Sequence, residues 1–358
     1  MKKIDESKYY NGSTILGKKD LNGEIPNIVL VTSNRSAGKT FYFLKKSLED
    51  FNNSKDSDTG RRSKFGLLYR YKYELSACSR LFDDILKLYP KLGHEVTAES
   101  RANGLFYEIF LDDESCGFAF ALNTPDPLKK YSPLFGEVDF LIMDEVQLET
   151  GAYLKGELDK LQSVYTTIAR GGGEQSRKVR LVLLSNYVSI MNPYYIQFGI
   201  HKRLKDDTKF MRGDGWVAEF NLNTSASEEL KKNSFYRAFG DSNYLKYSTE
   251  KVYLVDNSCF IEKPSGNSRY LFTIRFDGIN YGVRDYGDYL YVSESYDPSS
   301  RFTITFKASD HDNNTQMFNR YSYLTNMLKA SFNSGNMRFD GVKSKNVLFD
   351  VLAIDVHK

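Results

Sequence analysis

The sequence predicts an α/β protein in two parts: a domain on a mostly parallel sheet, joined by a helical linker to a smaller α+β domain. Three observations predict it. Over residues 27–184, short and continuously apolar runs alternate with stretches of helical spacing. Continuous apolarity marks strands covered on both faces, the habit of a parallel sheet. A Gly-Lys-Thr turn follows the first such run and opens a helical stretch. Late in the chain, apolar and polar residues alternate with period two between Gly/Asp turns, as in antiparallel strands.

Taken in order, Asn27–Thr32 (NIVLVT) is a compact apolar run, and Thr40–Phe51 follows with Phe41, Leu44, Leu48 and Phe51 at helical spacing. Asn52–Lys64 is polar and rich in breakers, the composition of an exposed loop. Phe65–Tyr69 predicts a strand and Cys78–Leu88 a helix; Phe118–Leu122, Val138–Met143 and Val179–Leu184 predict three further strands. Arg170–Glu174 marks a flexible turn. From about residue 200 the character changes, and Lys202, Arg203, Lys205, Lys209 and Arg212 crowd one segment. The expected boundaries are an α/β domain over 1–220, a linker over 221–246 and an α+β domain over 247–358. In the last, YLFTIRF, GDYLYVSES and RFTITFKAS predict a β-meander, with helices at Thr315–Ser331 and Val347–Ile354.

The 358 residues carry 49 Lys+Arg against 46 Asp+Glu, a balance that excludes a wholly basic nucleic-acid coat but permits a local basic groove. Three cysteines (Cys78, Cys116, Cys259) and four histidines form no short-spaced metal or redox motif. The first ten residues lack an apolar segment behind their lysines, and no apolar run reaches the ~20 residues that span a membrane. The expectation is a soluble intracellular chain with reduced thiols.

Three pieces carry chemistry. Ser33-Asn34-Arg35-Ser36-Ala37-Gly38-Lys39-Thr40 has the GKT tail of a P-loop, in which backbone N–H groups and a helix N-terminus wrap phosphates. Lys39 would reach the β/γ-phosphates and the Thr40 hydroxyl would ligate Mg²⁺; Ser33 stands where the first glycine is usual. Phe140–Glu145 (FLIMDE) ends an apolar strand on two carboxylates, which is costly unless they meet a cation or an ordered water. Asp144 fits the Walker B acid of the Mg²⁺ shell, and Glu145 is placed to polarise a water on the γ-phosphate, which predicts hydrolysis. Ser185-Asn186 ends the third run, where α/β sheets place ligand contacts. Each piece alone fits ordinary strand, turn and cap chemistry; three in this order point to ATP with Mg²⁺.

The chain resembles the genome-packaging ATPases of small tailed phages of the Picovirinae type, relatives of terminase large subunits. The resemblance runs through SNRSAGKT, YRYKYEL (Tyr69–Leu75), LIMDE, YTTIAR (Tyr165–Arg170), LLSNYVSIMNPYY (Leu183–Tyr195), CFIEK (Cys259–Lys263) and MRFD (Met337–Asp340). It implies an ASCE-type P-loop domain in which Lys39 and Thr40 bind ATP-Mg²⁺, Asp144 is the Walker B acid and Glu145 the catalytic base. Arg170 resembles an arginine finger inserted into a neighbouring subunit's site, and Lys130, beside Lys129, a second trans-acting cation. Lys72 resembles a residue that grips the DNA backbone. Arg70, Lys72, Arg61, Arg62 and Lys64 would then make a phosphate-tracking collar indifferent to sequence.

The C-terminal domain resembles a vestigial nuclease with an RNase-H-like fold. Asp277, with Asp285, Asp288, Glu294 and Asp297, shows no diagnostic spacing for a two-metal site, and the expectation is an inactive nuclease kept for DNA or connector contact. The implied function is ATP-driven translocation of double-stranded viral DNA into a preformed procapsid. The implied assembly is a homo-oligomeric ring, pentameric by resemblance, docked on the portal in the host cytoplasm, with a packaging RNA as in its relatives. A terminase with a live nuclease, a helicase-like translocase and a non-hydrolysing scaffold are the competing readings.

Overall fold

The computed structural model describes residues 5–54, 60–150, 152–170, 175–190, 192–204, 207–240, 242–251, 253–254, 264–318, 323–333 and 336–353. The expected turn residues 171–174 and the CFIEK segment (259–263) lie outside the described residues. Two compact units emerge: residues 1–148, 152–187 and 205–251, and residues 149–151, 188–204 and 252–358. Residues 221–246, read as a linker, fall within the first unit. Among the described residues no helix is long and apolar enough to cross a membrane.

Among the described residues the first unit carries nine strands: β1 (Ile28–Ser33), β2 (Lys64–Tyr69), β3 (Val96–Arg101), β4 (Phe106–Leu111), β5 (Glu114–Ala121), β6 (Val138–Met143), β7 (Arg180–Ser185), β8 (Phe210–Gly213) and β9 (Trp216–Asn221). Their order is β3-β4-β5-β2-β6-β7-β1-β9-β8. From β5 to β9 every neighbouring pair is parallel. The expected mostly parallel sheet is therefore the one that forms. Its helices include α1 (Lys39–Asn53), α2 (Asp83–Leu88), α3 (Glu157–Ile168), α4 (Thr224–Lys232), α5 (Ser234–Ala238) and α6 (Asn243–Thr249). The buried face of α1, with Phe43, Leu44, Leu48 and Phe51, joins Val29, Val31, Leu67, Ile142, Val182 and Leu184 in one core. Gly66 and Gly117 allow this packing. A Cβ on Gly66 would stand 2.5 Å from Leu141, and one on Gly117 would stand 2.6 Å from the Phe65 carbonyl.

Parallel strands place all their carboxyl ends on one edge, and the register fixes which ends meet. Thr32 lies opposite Ser185, Met143 opposite Leu183, and Leu68 opposite Met143. The segments after β1, β2, β6 and β7 thus emerge side by side.

Some local expectations are corrected. The segment read as a helix over 78–88 is a 3₁₀ stretch, Lys72–Phe82, with only Asp83–Leu88 α-helical. The antiparallel β3–β4 pair and the β8–β9 pair were not foreseen.

The second unit carries β10 (Arg269–Phe276), β11 (Ile279–Asp285), β12 (Leu290–Ser293), β13 (Thr303–Thr305), β14 (Gln316–Met317) and β15 (Met337–Phe339), ordered β14-β13-β10-β11-β12-β15. The expected meander is corrected: its three runs form β10, β12 and β13, but β11, which the runs did not include, pairs antiparallel between β10 and β12. β13 returns to lie parallel to β10, and β15 lies parallel to β12, so the sheet is mixed. α7 (Tyr323–Asn333) and α8 (Val342–Ala353) supply Leu328, Phe332, Leu348, Phe349 and Val351 to the core over Phe272, Ile274, Val283 and Val292. The helix expected to begin at residue 315 starts later, because Gln316 and Met317 pair with β13 as a strand.

Candidate nucleotide site

The loop between β1 and α1 turns tightly through two left-handed residues. Ser36 and Gly38 both take left-handed backbone (φ 59° and 92°), and Gly38 is the residue before the first turn of α1. The remaining side chains fix the loop from beneath. Asn34 accepts from the Asn223 amide at 2.8 Å, and its own amide group donates to the Asn223 carbonyl and to Ser227 Oγ, tying the loop to the start of α4. Arg35 donates to the Tyr244 hydroxyl, and its guanidinium lies over the rings of Tyr244 and Tyr247 on α6. Ala37 is buried, and its carbonyl accepts from the Tyr10 amide at 2.8 Å.

Lys39 is only 6% exposed. Its ammonium donates to Ser33 Oγ at 2.9 Å, to the Asn34 carbonyl at 3.4 Å and to Asn186 Oδ1 at 2.9 Å. Burial pulls its pKa down to about 8, against the Asp144 carboxylate, which favours the charged form; Arg35 lowers it further. The Thr40 hydroxyl donates to Asp144 Oδ2 at 2.5 Å, joining the first helical turn to the end of β6. Oxygen donors of this kind, one hydroxyl and one carboxylate, suit Mg²⁺ carried in by phosphates rather than a dedicated protein cage. Among the described residues no cluster of three His, Cys, Asp or Glu makes such a cage.

Glu145 is exposed and left-handed (φ 52°), an uncommon state for a non-glycine residue that must be held by its surroundings. Its amide donates to Asp144 Oδ1 at 2.8 Å, and the next amide, Val146, donates to the Leu184 carbonyl at 2.9 Å. The third restraint is Arg70. Its Nη1 donates to the Glu145 carbonyl and its Nη2 to the Val146 carbonyl, both at 2.8 Å. Its Nε and Nη2 grip the Glu157 carboxylate at 3.0 and 2.9 Å, and both side chains are buried.

This corrects the reading of Arg70 as a DNA contact: its guanidinium is spent inside the protein, holding the turn that aims Glu145. Glu157, at the first position of α3, escaped sequence reasoning altogether. A carboxylate at a helix start reads as ordinary capping, and its partner lies 87 residues away.

The expected collar also comes apart. Arg61, Arg62 and Lys64 sit at the amino end of β2, where they pair with Asp139, Glu114 and Glu137. Lys72 lies beyond the carboxyl end, exposed, its ammonium on the Asn103 carbonyl at 2.8 Å. The six-residue strand between them spans about 16 Å at ~3.3 Å per residue. Lys72 therefore lies at the carboxyl edge of the sheet, and the three loop cations do not. Beside it Tyr71 and Tyr73 stack at 5.3 Å, with Tyr73 exposed. Arg170 is exposed just after α3, and Lys130 is exposed on a 3₁₀ turn, Lys129–Phe135.

Of the five candidate carboxylates of the second unit, Asp277 and Glu294 lie near enough to the Tyr281 hydroxyl, with Asp340, to add to burial in pushing its pKa up, whereas Asp285 and Asp288 lie toward the other end of β11. Asp277 forms the β10–β11 turn with Gly278 and accepts from Lys307, while Asp310 caps both turn amides. Asp285, at the other end of β11, pairs with Arg269, and Asp288 lies in the turn that follows. Glu294 lies 3.6 Å from Lys343, and Asp297 caps the Ser299 amide.

A family model described as podovirus DNA encapsidation protein (Gp16) matches residues 4–355. The chain belongs to that family. It is 27% identical over 288 residues to the DNA packaging protein of Bacillus phage phi29, covering 79% of this chain and 82% of the relative. To the DNA packaging protein of Bacillus phage B103 it is 25% identical over 323 residues, 88% of this chain and 94% of that one. Its fold is similar to chains of the bacteriophage Phi-29 viral genome packaging motor assembly (TM-score 0.53, 22% identity, 97% of this chain and 99% of that chain). It is likewise similar to the Phi-28 gp11 DNA packaging motor (TM-score 0.54, 18% identity, 98% of each chain).

Proposed function

We propose that this encapsidation-family chain is an ATPase whose hydrolysis drives double-stranded DNA into a preformed procapsid through its portal. The observation that carries the chemistry is the joining of Thr40 to Asp144, with Glu145 held in its strained pose beside them, on the carboxyl edge of a parallel sheet. The relatives' names and the motor assemblies of similar fold support the packaging role.

In this reading the loop amides receive the phosphates, and Lys39 leaves Ser33 and Asn186 for the β/γ-phosphate oxygens. Thr40 and Asp144 would hold Mg²⁺ carried by the nucleotide, which would supply charge neutralisation at those oxygens. Glu145 orients and deprotonates the attacking water, and Asn186 reports whether Lys39 is engaged. Arg170 of a neighbouring copy completes the site in a ring, with Lys130 as a second cation in trans. Lys72 holds the DNA backbone without reading sequence.

The test is ATP turnover by the full chain, titrated with long double-stranded DNA, beside Arg170→Ala. Turnover stimulated by DNA, rising steeply with protein concentration and lost in the variant, is the expected result. Turnover indifferent to DNA and to Arg170 would reject the motor reading.

A further inference from the structure

A cavity of about 400 Å³ opens at the amino edge of the first unit's sheet, where the neighbouring strands β6, β7 and β1 begin. That volume is in the range of small-molecule sites. Glu24 and Asn27 line it from the segment before β1, Asp139 from β6, and Lys178 and Arg180 from the start of β7. The nucleotide loop follows the far end of β1, a six-residue strand that spans about 16 Å at ~3.3 Å per residue. We infer that this cavity is an anion site separate from the nucleotide loop, and that it takes inorganic phosphate as the hydrogen phosphate dianion.

Arg180 sets the charge. Its guanidinium is half-buried, and Nη2 is used on the Leu16 carbonyl at 2.7 Å. Nε is enclosed without an acceptor, and among the described residues no carboxylate pairs with the group. Burial alone holds its pKa below the usual arginine value. A cation taken out of water without a counter-ion is costly, and an anion in the cavity supplies one. Lys178, exposed beside it, is a second cation with no ion-pair partner among the described residues. Asp139 is already held by Arg61 and Arg177, at 3.2 and 3.1 Å. Arg61, Arg177, Lys178 and Arg180 against Glu24 and Asp139 make four cations to two carboxylates. The excess of two positive charges matches a dianion.

Glu24 selects among anions. Asp20 fixes its backbone: the Asp20 amide donates to the Glu24 carbonyl at 2.9 Å, and Asp20 Oδ1 accepts from the Glu24 amide at 3.0 Å. The Glu24 carboxylate has no ion-pair partner among the described residues. It repels an anion that carries acceptors alone and accepts a hydrogen bond from one that keeps a proton. Hydrogen phosphate keeps a proton at neutral pH. Sulfate and the phosphodiesters of a nucleic-acid backbone keep none, so the free anion is favoured over a polymer.

The test is calorimetry at neutral pH with inorganic phosphate, sulfate and dimethyl phosphate. It is run on the full chain and on Arg180→Met, Lys178→Ala, Glu24→Gln and Lys39→Ala. The nucleotide loop can itself take phosphate, and Lys39→Ala marks that share. Phosphate binding should persist in Lys39→Ala and weaken about tenfold in Arg180→Met and in Lys178→Ala, as loss of one charged donor predicts. Lys178 is exposed and unpaired among the described residues, so its variant should melt as the parent does and guards against a folding fault in Arg180→Met. Sulfate and dimethyl phosphate should bind about tenfold more weakly than phosphate, and Glu24→Gln should narrow the gap to sulfate. Phosphate binding lost entirely in Lys39→Ala, or unmoved by both cation variants, would overturn the site. Sulfate or dimethyl phosphate bound as tightly as phosphate would overturn hydrogen phosphate as its ligand.

Discussion

Lys39 is a buried ammonium shared among Ser33, Asn34 and Asn186, with a pKa brought down to about 8. Phosphate oxygens beside it favour the charged form, so the bound state keeps its proton to higher pH than the free state. ATP affinity should therefore be flat below pH 8 and fall as pH rises above it, by up to about tenfold per unit. Calorimetric titration from pH 7 to 9.5 checks this; an affinity level across that range would contradict it. Residues of this kind were legible in the sequence because each motif is contiguous and closes an apolar run. Asp144, Glu145 and Asn186 stand where such a run ends, and Lys39 and Thr40 open the helix that follows one. Arg70 was misread for the opposite reason. A cation written next to Lys72 looks like part of a basic strip, and only the fold brings Glu157 to it. Arg70→Ala should cost about 3–5 kcal/mol, because it takes the guanidinium away from the buried Glu157 carboxylate. Lys72→Ala should instead leave the melting temperature alone and make the salt dependence of DNA binding shallower by about one unit of slope.

At the scale of elements, the parallel core was readable and its margins were not. β1, β2, β6 and β7 are almost wholly buried and announce themselves as apolar runs. β3 (VTAESR) lies at the end of the sheet with most of its residues at least partly exposed, so its composition is that of a loop. β9 is buried, but it follows directly on a segment dense in Lys and Arg, whose composition is that of a surface stretch. β13 alternates like a meander strand yet pairs in parallel across the sheet, a choice that alternation does not encode. The close approach of β2 and β5 is a local weakness. Gly117→Ala would press a methyl against the Phe65 carbonyl, and strands cannot give way as a side-chain tip can. A loss of about 1–3 kcal/mol is expected, read as a lower denaturant midpoint with unchanged m.

For the molecule as a whole, the proposed function, with Arg170 as a finger supplied in trans, makes activity a property of assemblies. Glu145→Gln lacks the base but presents Arg170, and Arg170→Ala lacks the finger but keeps the base. Each alone should turn over at background rate, and an equal mixture should recover measurable ATPase, because some interfaces combine an intact base with an intact finger. A mixture no more active than its components would place Arg170 in its own subunit's site or outside any site. The order of strands has a further consequence, felt while the chain is being made. β1, which launches the phosphate loop, lies between β7 and β9, and Ile28 waits for Trp216. At ~5–20 residues per second, roughly 10–40 s of synthesis separate the two. For that interval the strand beneath the nucleotide loop has an unfilled edge that another nascent chain can pair with. Ribosomes working close together on one message would bring such edges within reach of each other, so the yield of folded protein should depend on chaperones that cover β1 until β9 emerges.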